Sequence, residues 1–177
     1  MHKAFKVALP AIALTALSFL ASCGNAVSES TEEPVKAAAL DPKPAPDFSL
    51  PDVEGREIKL SELKGQVVLL NFWATWCGPC KIEMPWFVEF QRQYKDQGFS
   101  VVAVSLDAEG WEVVKPFAEE YKLNFPVVVG DDDLADKFGG IAALPTTFII
   151  DKEGRITASH TGLVSKSDYE DEIKNLL

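Results

Sequence analysis

The chain has 177 residues, 47% of them hydrophobic and 25% charged, enough apolar material for one packed domain with appendages. A net charge of −10 argues against nucleic acid as a partner, since phosphate backbones are bound by basic surfaces. With only three cysteines and two histidines, His2 and His160, a second ligand pair for a zinc site is hard to assemble.

Taken in chain order, Lys3 and Lys6 precede an apolar run from Val7 to Leu20 that is too short and too rich in small residues for a membrane span. The pattern is that of a signal peptide. It ends in Leu20-Ala-Ser-Cys-Gly24, which resembles the lipobox of bacterial lipoproteins. That resemblance implies that residues 1–22 are removed and that Cys23 carries the lipid that tethers the protein to a membrane. From Asn25 to about Pro46 the chain is Ser, Glu, Ala, Pro and Lys with almost no large apolar side chain. Such a segment cannot bury enough surface to order itself, so residues 23–46 are read as anchor and flexible linker, with a mean reach of about 25 Å. The folded domain is expected over residues 47–177.

Within that domain, Phe48 to Leu50 and Arg56 to Leu60 predict a short hairpin turning through Gly55. Ser61 to Gly65 reads as one helical turn. The run Gln66-Val-Val-Leu-Leu-Asn-Phe-Trp73 has the continuous apolar character of a buried central strand. A helix is predicted from Pro79 to Tyr94 with Ile82, Trp86, Phe87 and Phe90 on its apolar face and a kink at Pro85. Strands follow at 100–106 and 126–129, separated by a helix over 110–122. Asp133 to Phe138 is read as a short helix closed by Gly139 and Gly140. Thr146 to Ile150 and Arg155 to Thr161 form a hairpin through the Asp151-Lys-Glu-Gly154 turn, and a last helix starts at Ser167 with Glu170 completing a capping box. Strands alternating with helices, then a hairpin and a final helix, predict an α/β sandwich around a mixed sheet.

Trp76-Cys77-Gly78-Pro79-Cys80 lies where the central strand gives way to the first long helix. Cys77 then falls at a helix N-terminus, where unpaired N–H groups and the positive end of the dipole favour thiolate over thiol. Cys80 follows one turn later, within disulfide reach. A two-residue gap closes too small a loop to restrain the unfolded chain much, so the pair is read as a reversible dithiol and not as a structural staple. The expectation is an exposed attacking sulfur and a covered resolving one. Glu83, three residues beyond Cys80, is placed near the sulfur face, where partial burial would raise its pKa and let it shuttle the resolving thiol's proton.

Asn71-Phe-Trp-Ala-Thr-Trp-Cys-Gly-Pro-Cys-Lys-Ile-Glu-Met-Pro85, followed by Leu144-Pro-Thr-Thr-Phe148 and Asp151-Lys-Glu-Gly154, resembles the thioredoxin superfamily. More narrowly it is similar to the membrane-tethered, extracytoplasmic TlpA/ResA-like branch. The resemblance implies a thioredoxin-like sandwich with an N-terminal hairpin and a central β/α insertion. By position it makes Pro145 the proline that is cis in the family, with Leu144 and Pro145 laying backbone beside the cysteines for a substrate chain. It makes Trp76 a substrate-contacting shield over Cys77, and Glu83 the glutamate that the branch keeps near its cysteines. Minimal thioredoxins carry a buried aspartate where this chain has Asn71, so acid–base work for Cys80 must come from elsewhere.

The implied activity is thiol–disulfide exchange at Cys77 and Cys80, with no metal or other cofactor. Gly78-Pro79 between the cysteines matches the reducing thioredoxins and favours a protein-disulfide reductase. The resemblance further implies disulfide-bearing protein substrates, among them apocytochrome c, and a membrane thiol electron donor of DsbD/CcdA type. Two alternatives are weighed against it. A thiol peroxidase of the peroxiredoxin kind sets a threonine three residues before its attacking cysteine, whereas Thr75 stands two before Cys77. A non-catalytic thioredoxin-like binding module would have no need of both cysteines.

Overall fold

The computed structural model describes residues 42–177. The proposed leader, Cys23 and all but the last residues of the expected linker lie outside them. Among the described residues no helix is long and apolar enough to cross a membrane.

The elements are β1 (Lys43–Pro44), β2 (Ser49–Pro51), β3 (Glu57–Lys59), a 3-10 turn (Leu60–Leu63), β4 (Val67–Trp73), α1 (Gly78–Tyr94), β5 (Phe99–Ser105), α2 (Trp111–Glu120), β6 (Val127–Val129), α3 (Asp132–Lys137), β7 (Thr146–Ile150), β8 (Arg155–Thr161) and α4 (Lys166–Leu176). Six strands make one sheet in the order β1-β8-β7-β4-β5-β6, and β2 pairs with β3 apart from it. β4 runs parallel to β5 and antiparallel to β7, so the sheet is mixed, as expected.

All seven residues of β4 and of β5 are buried. Because side chains alternate across a strand, β4 feeds two cores at once. Val67, Leu69 and Trp73 meet α1, α2 and α4 on one face, through Phe87, Phe117 and Ile173 among others. Val68, Leu70 and Phe72 meet α3 and the N-terminal hairpin on the other, through Leu134 and Phe48. Asn71 alternates onto the first face, beneath α1 and α4.

Three local expectations are corrected. Lys43 and Pro44, assigned to the linker, pair with Ile156 and Arg155 at the sheet edge, and Ala45 N–H donates to Gly154 O at 2.9 Å. Edge pairing uses backbone groups, so it needs no apolar side chain. The last helix is capped by Ser165 and not by Ser167, the Ser165 hydroxyl accepting from Asp168 N–H at 3.2 Å. α1 runs unbroken through Pro85, and its buried face is Cys80, Glu83, Met84, Phe87, Phe90 and Tyr94. Ile82, expected inside, is 49% exposed, while the carboxyl beside it in sequence is fully covered. A 3.6-residue repeat can carry Ile82 or Met84 inward beside Phe87 and Phe90, and packing on β4 selected Met84.

Candidate active site

The site forms where β4 ends and α1 begins. Trp73 O accepts from Leu106 N–H at 2.9 Å, which ties the end of β4 to the chain leaving β5. The next turn is held by Asp107, whose carboxylate accepts from Thr75 N–H at 2.9 Å and from the Thr75 hydroxyl at 2.6 Å. Ser105 Oγ donates to the same carboxylate at 2.8 Å. The loop that presents the cysteines is therefore clamped to β5 on its backbone and on its side chains.

Cys77 is the N-cap of α1, with φ −77° and ψ 110°, and its sulfur accepts from Cys80 N–H at 3.2 Å. Pro79 sits in the first turn, where a missing N–H costs nothing. Cys77 and Cys80 are joined in a disulfide with their Cα atoms 5.3 Å apart. Cys80 has no exposed surface, but Cys77, expected to stand open, is only 4% exposed. The order of accessibility matches the expectation, and its amount does not. In the oxidised form little of Cys77 is open to a partner.

Trp76, the residue before Cys77, is 69% exposed. The Leu144–Pro145 bond is cis, and Pro145 O accepts from Gly162 N–H at 2.7 Å. Leu144 is half-buried against the core that contains both cysteines.

Glu83 lies one turn beyond Cys80 with no exposed surface. Its Oε1 accepts from the Tyr169 hydroxyl at 2.9 Å, and its Oε2 is buried without a partner. Burial lifts its pKa from the ordinary 4.5 to about 7, and the Tyr169 hydrogen bond, the nearby His160 and the Val164 backbone N–H only partly offset that rise. A group that titrates near neutrality, one helical turn from the covered cysteine, can accept and return a proton under ordinary conditions.

Sequence reasoning missed the residues around this carboxyl. Tyr169 reads as an apolar position of α4, spaced four from Ile173, and its hydroxyl is buried. Thr147 and His160 read as strand residues. Asp107 carried a faint signal as an acid two residues past an apolar strand. Among the described residues no group of His, Cys, Asp and Glu could hold a metal ion. A cavity of about 500 Å³ beside the start of β4, lined by Leu60, Lys64, Ile150 and Arg155 among others, includes none of the site residues.

Comparison with known proteins agrees with this geometry. The model of the AhpC/TSA family matches residues 42–159. The thiol-disulfide oxidoreductase ResA of Geobacillus thermodenitrificans is 40% identical over 141 residues, 80% of either chain. The crystal structure of a thioredoxin-family thiol:disulfide interchange protein from Chlorobium tepidum superposes with a TM-score of 0.71 at 33% identity, covering 78% of this chain and 99% of that one. The exposed lipoprotein thioredoxin of Streptococcus pneumoniae gives 0.65 at 30% identity, covering 74% of this chain and all of that one. A thioredoxin fold, a cysteine pair at the first turn of α1 and relatives of this kind make the chain a member of the AhpC/TSA family, in its ResA-like group of thiol-disulfide oxidoreductases.

Proposed function

We propose that this extracytoplasmic oxidoreductase works as a reductase of protein disulfides, tethered to a membrane by a lipidated Cys23. The observation that carries the mechanism is the Cys77–Cys80 disulfide at the α1 N-terminus with the buried Glu83 carboxyl one turn on. In the reduced protein the Cys77 thiolate attacks one sulfur of a substrate disulfide, and the other substrate sulfur leaves as a thiolate. Cys80 passes its proton to Glu83 and attacks the Cys77 sulfur of the mixed disulfide. The second substrate sulfur leaves, two electrons have moved to the substrate, and Cys77–Cys80 is oxidised. Trp76, Leu144 and Pro145 flank the reacting sulfur as the surface that receives the substrate chain.

Gly78-Pro79 between the cysteines supports the reducing direction, which requires a membrane thiol donor of DsbD/CcdA type to regenerate the dithiol. Apocytochrome c disulfides are the proposed substrate class. The lipobox-like Leu20-Ala-Ser-Cys23 and the relative described as an exposed lipoprotein support the tethered location. Thr75, whose N–H and hydroxyl are both given to Asp107, supports protein disulfides over peroxides as the oxidant.

The test is the reduction potential of the Cys77–Cys80 couple, read by trapping free thiols after equilibration in dithiothreitol buffers. A value near or below about −270 mV is expected, and one near about −120 mV would make the protein a disulfide donor instead. In the same preparation Cys77→Ser is expected to abolish disulfide reduction, and Cys80→Ser to accumulate the mixed disulfide with substrate. A Cys77→Ser protein that still reduces disulfides would overturn the mechanism.

A further inference from the structure

Across the face of the sheet that α1 and α4 cover, three buried polar residues stand in one row. Asn71 of β4 is paired in register with Thr147 of β7, and Thr147 with His160 of β8. Asn71 Nδ2 donates to Thr147 Oγ1 at 2.9 Å. From the helix layer above, the Tyr169 hydroxyl lies 3.1 Å from Thr147 Oγ1 and 2.9 Å from Glu83 Oε1. The phenol has one hydrogen for two oxygens. A carboxylate is the stronger acceptor, so that hydrogen goes to Glu83, and the Thr147 hydroxyl is left to donate to the phenol oxygen. Donors then run one way, from Asn71 to Thr147 to Tyr169 to Glu83.

Two features show that this chain is built toward the carboxyl. Each member is buried, so its hydrogen bonds have no competition from water. The carboxyl oxygens are also unequal, because Oε1 holds the Tyr169 hydrogen while Oε2 is buried without a hydrogen bond, although the Val164 backbone N–H stands near the carboxyl. A proton on Glu83 therefore resides on Oε2, and Oε1 stays an acceptor in either protonation state.

Resting on the reading of Glu83 as the proton-exchange group of Cys80, we propose that Tyr169, backed by Thr147 and Asn71, is its positioning residue. It engages Oε1 and leaves Oε2 as the oxygen that takes the Cys80 proton and gives it back. Asn71, standing where minimal thioredoxins carry an aspartate, is thereby the start of a donor chain and not a vacancy in the acid–base machinery. The groups set against Glu83 are the Tyr169 hydroxyl from α4, the Val164 backbone N–H before α4 and the His160 ring from β8, with Thr147 of β7 and Asn71 of β4 behind Tyr169. The His160 ring meets Tyr169 edge-on at 5.3 Å between centroids, and its Nε2 is 2.8 Å from Glu172 Oε2, so the Glu172 carboxylate stands against any positive charge there.

The experiment uses the full chain, oxidised for an NMR titration of the Glu83 side-chain carboxyl carbon and reduced for the rate of glutathione disulfide reduction between pH 5 and 9. Tyr169→Phe removes one oxygen and keeps the ring. Losing a hydrogen bond to the charged form raises the Glu83 midpoint, by about one pH unit for a charge-assisted bond. Less carboxylate is then available below neutrality, and the rate at pH 6.5 falls about five- to ten-fold. Thr147→Val, isosteric and one bond further back, moves the midpoint the same way by less. It carries the test if melting shows that Tyr169→Phe does not fold. A midpoint and a pH–rate profile unchanged in Tyr169→Phe, or in Thr147→Val when that variant stands in, overturn the positioning role. Glu83→Gln separates the two readings. If it keeps the neutral inflection of the rate, the acid–base role of Glu83 fails. If it loses that inflection while Tyr169→Phe leaves it in place, only the positioning role fails.

Discussion

The protein buries carboxylates in two contrasting ways. Asp52-Val-Glu-Gly-Arg56 and Asp151-Lys-Glu-Gly-Arg155 are the same five-residue turn at two places, each with a glycine at φ 81° where a side chain would be strained. In each, the aspartate Oδ1 accepts the backbone N–H groups two and four residues on, and Oδ2 accepts from the arginine side chain. Burial works to raise both aspartate pKa values, but the arginine and backbone hydrogen bonds outweigh it and hold them below the ordinary 3.8. Glu83 has the Tyr169 hydroxyl and the nearby Val164 N–H against a deeper burial, and its pKa goes the other way, to about 7. The difference lies in the number of donors supplied. A buried carboxyl with a full set of donors stays charged and holds a turn, whereas one left short of them becomes a proton-exchange group.

The largest effect that tests this contrast is on stability against pH. Glu83 binds its proton more tightly in the folded chain than at its ordinary 4.5, so folding takes up a proton between about pH 4.5 and 7. Its stabilising contribution is complete below 4.5 and is lost as pH rises through about 7, a loss of about 3 kcal/mol at 1.36 kcal/mol per pH unit. Glu83→Gln is expected to flatten that slope and to be more stable than the parent at pH 8, as read from urea midpoints. A slope that survives the substitution would contradict the titration of Glu83.

Asp151 has the opposite sign and a smaller effect. Its folded pKa is depressed, so its contribution is present above 3.8 and is lost as pH falls below that value. Asp151→Asn should cost about 2 kcal/mol at pH 7 and much less near pH 3. A cost equal at both values would show that its charge plays no part.

The smallest effect is expected one residue before Glu83. Ile82→Gln on the open side of α1 should change stability by less than about 0.5 kcal/mol, because an apolar residue already in water has little burial to lose. A thermal melt showing a large drop would place Ile82 in a contact that the fold does not show.

Signals carried by local spacing were legible in the sequence. The continuous apolar runs gave β4 and β5, which are buried on both faces, and Asp151 with Gly154 gave the hairpin that turns between β7 and β8. The strand-to-helix junction put Cys77 at a helix N-cap, since the chain there has nothing but the helix to begin. Less legible was which face of α1 turns inward. Ile82 and Trp86 extend the stripe of Phe87 and Phe90 as well as Met84 does, and hydrophobicity alone prefers the stripe without a glutamate. The edge strand at Lys43 was hidden because its pairing is carried by backbone groups common to every sequence.

By itself the sequence determined the order of elements and the place of the two cysteines, because both follow from propensities and spacings within a few residues. It also pointed to Glu83 as the leading acid–base candidate for Cys80, with Asn71 standing where minimal thioredoxins carry an aspartate. Tertiary structure alone decided what Glu83 became. Its donor Tyr169 and the Thr147 behind that donor stand 86 and 64 positions away in sequence and are brought to it by the stacking of α1 and α4 on the β4-β7-β8 face. A pKa is set by burial and by the donors within hydrogen-bonding distance, and both exist only once those elements have packed.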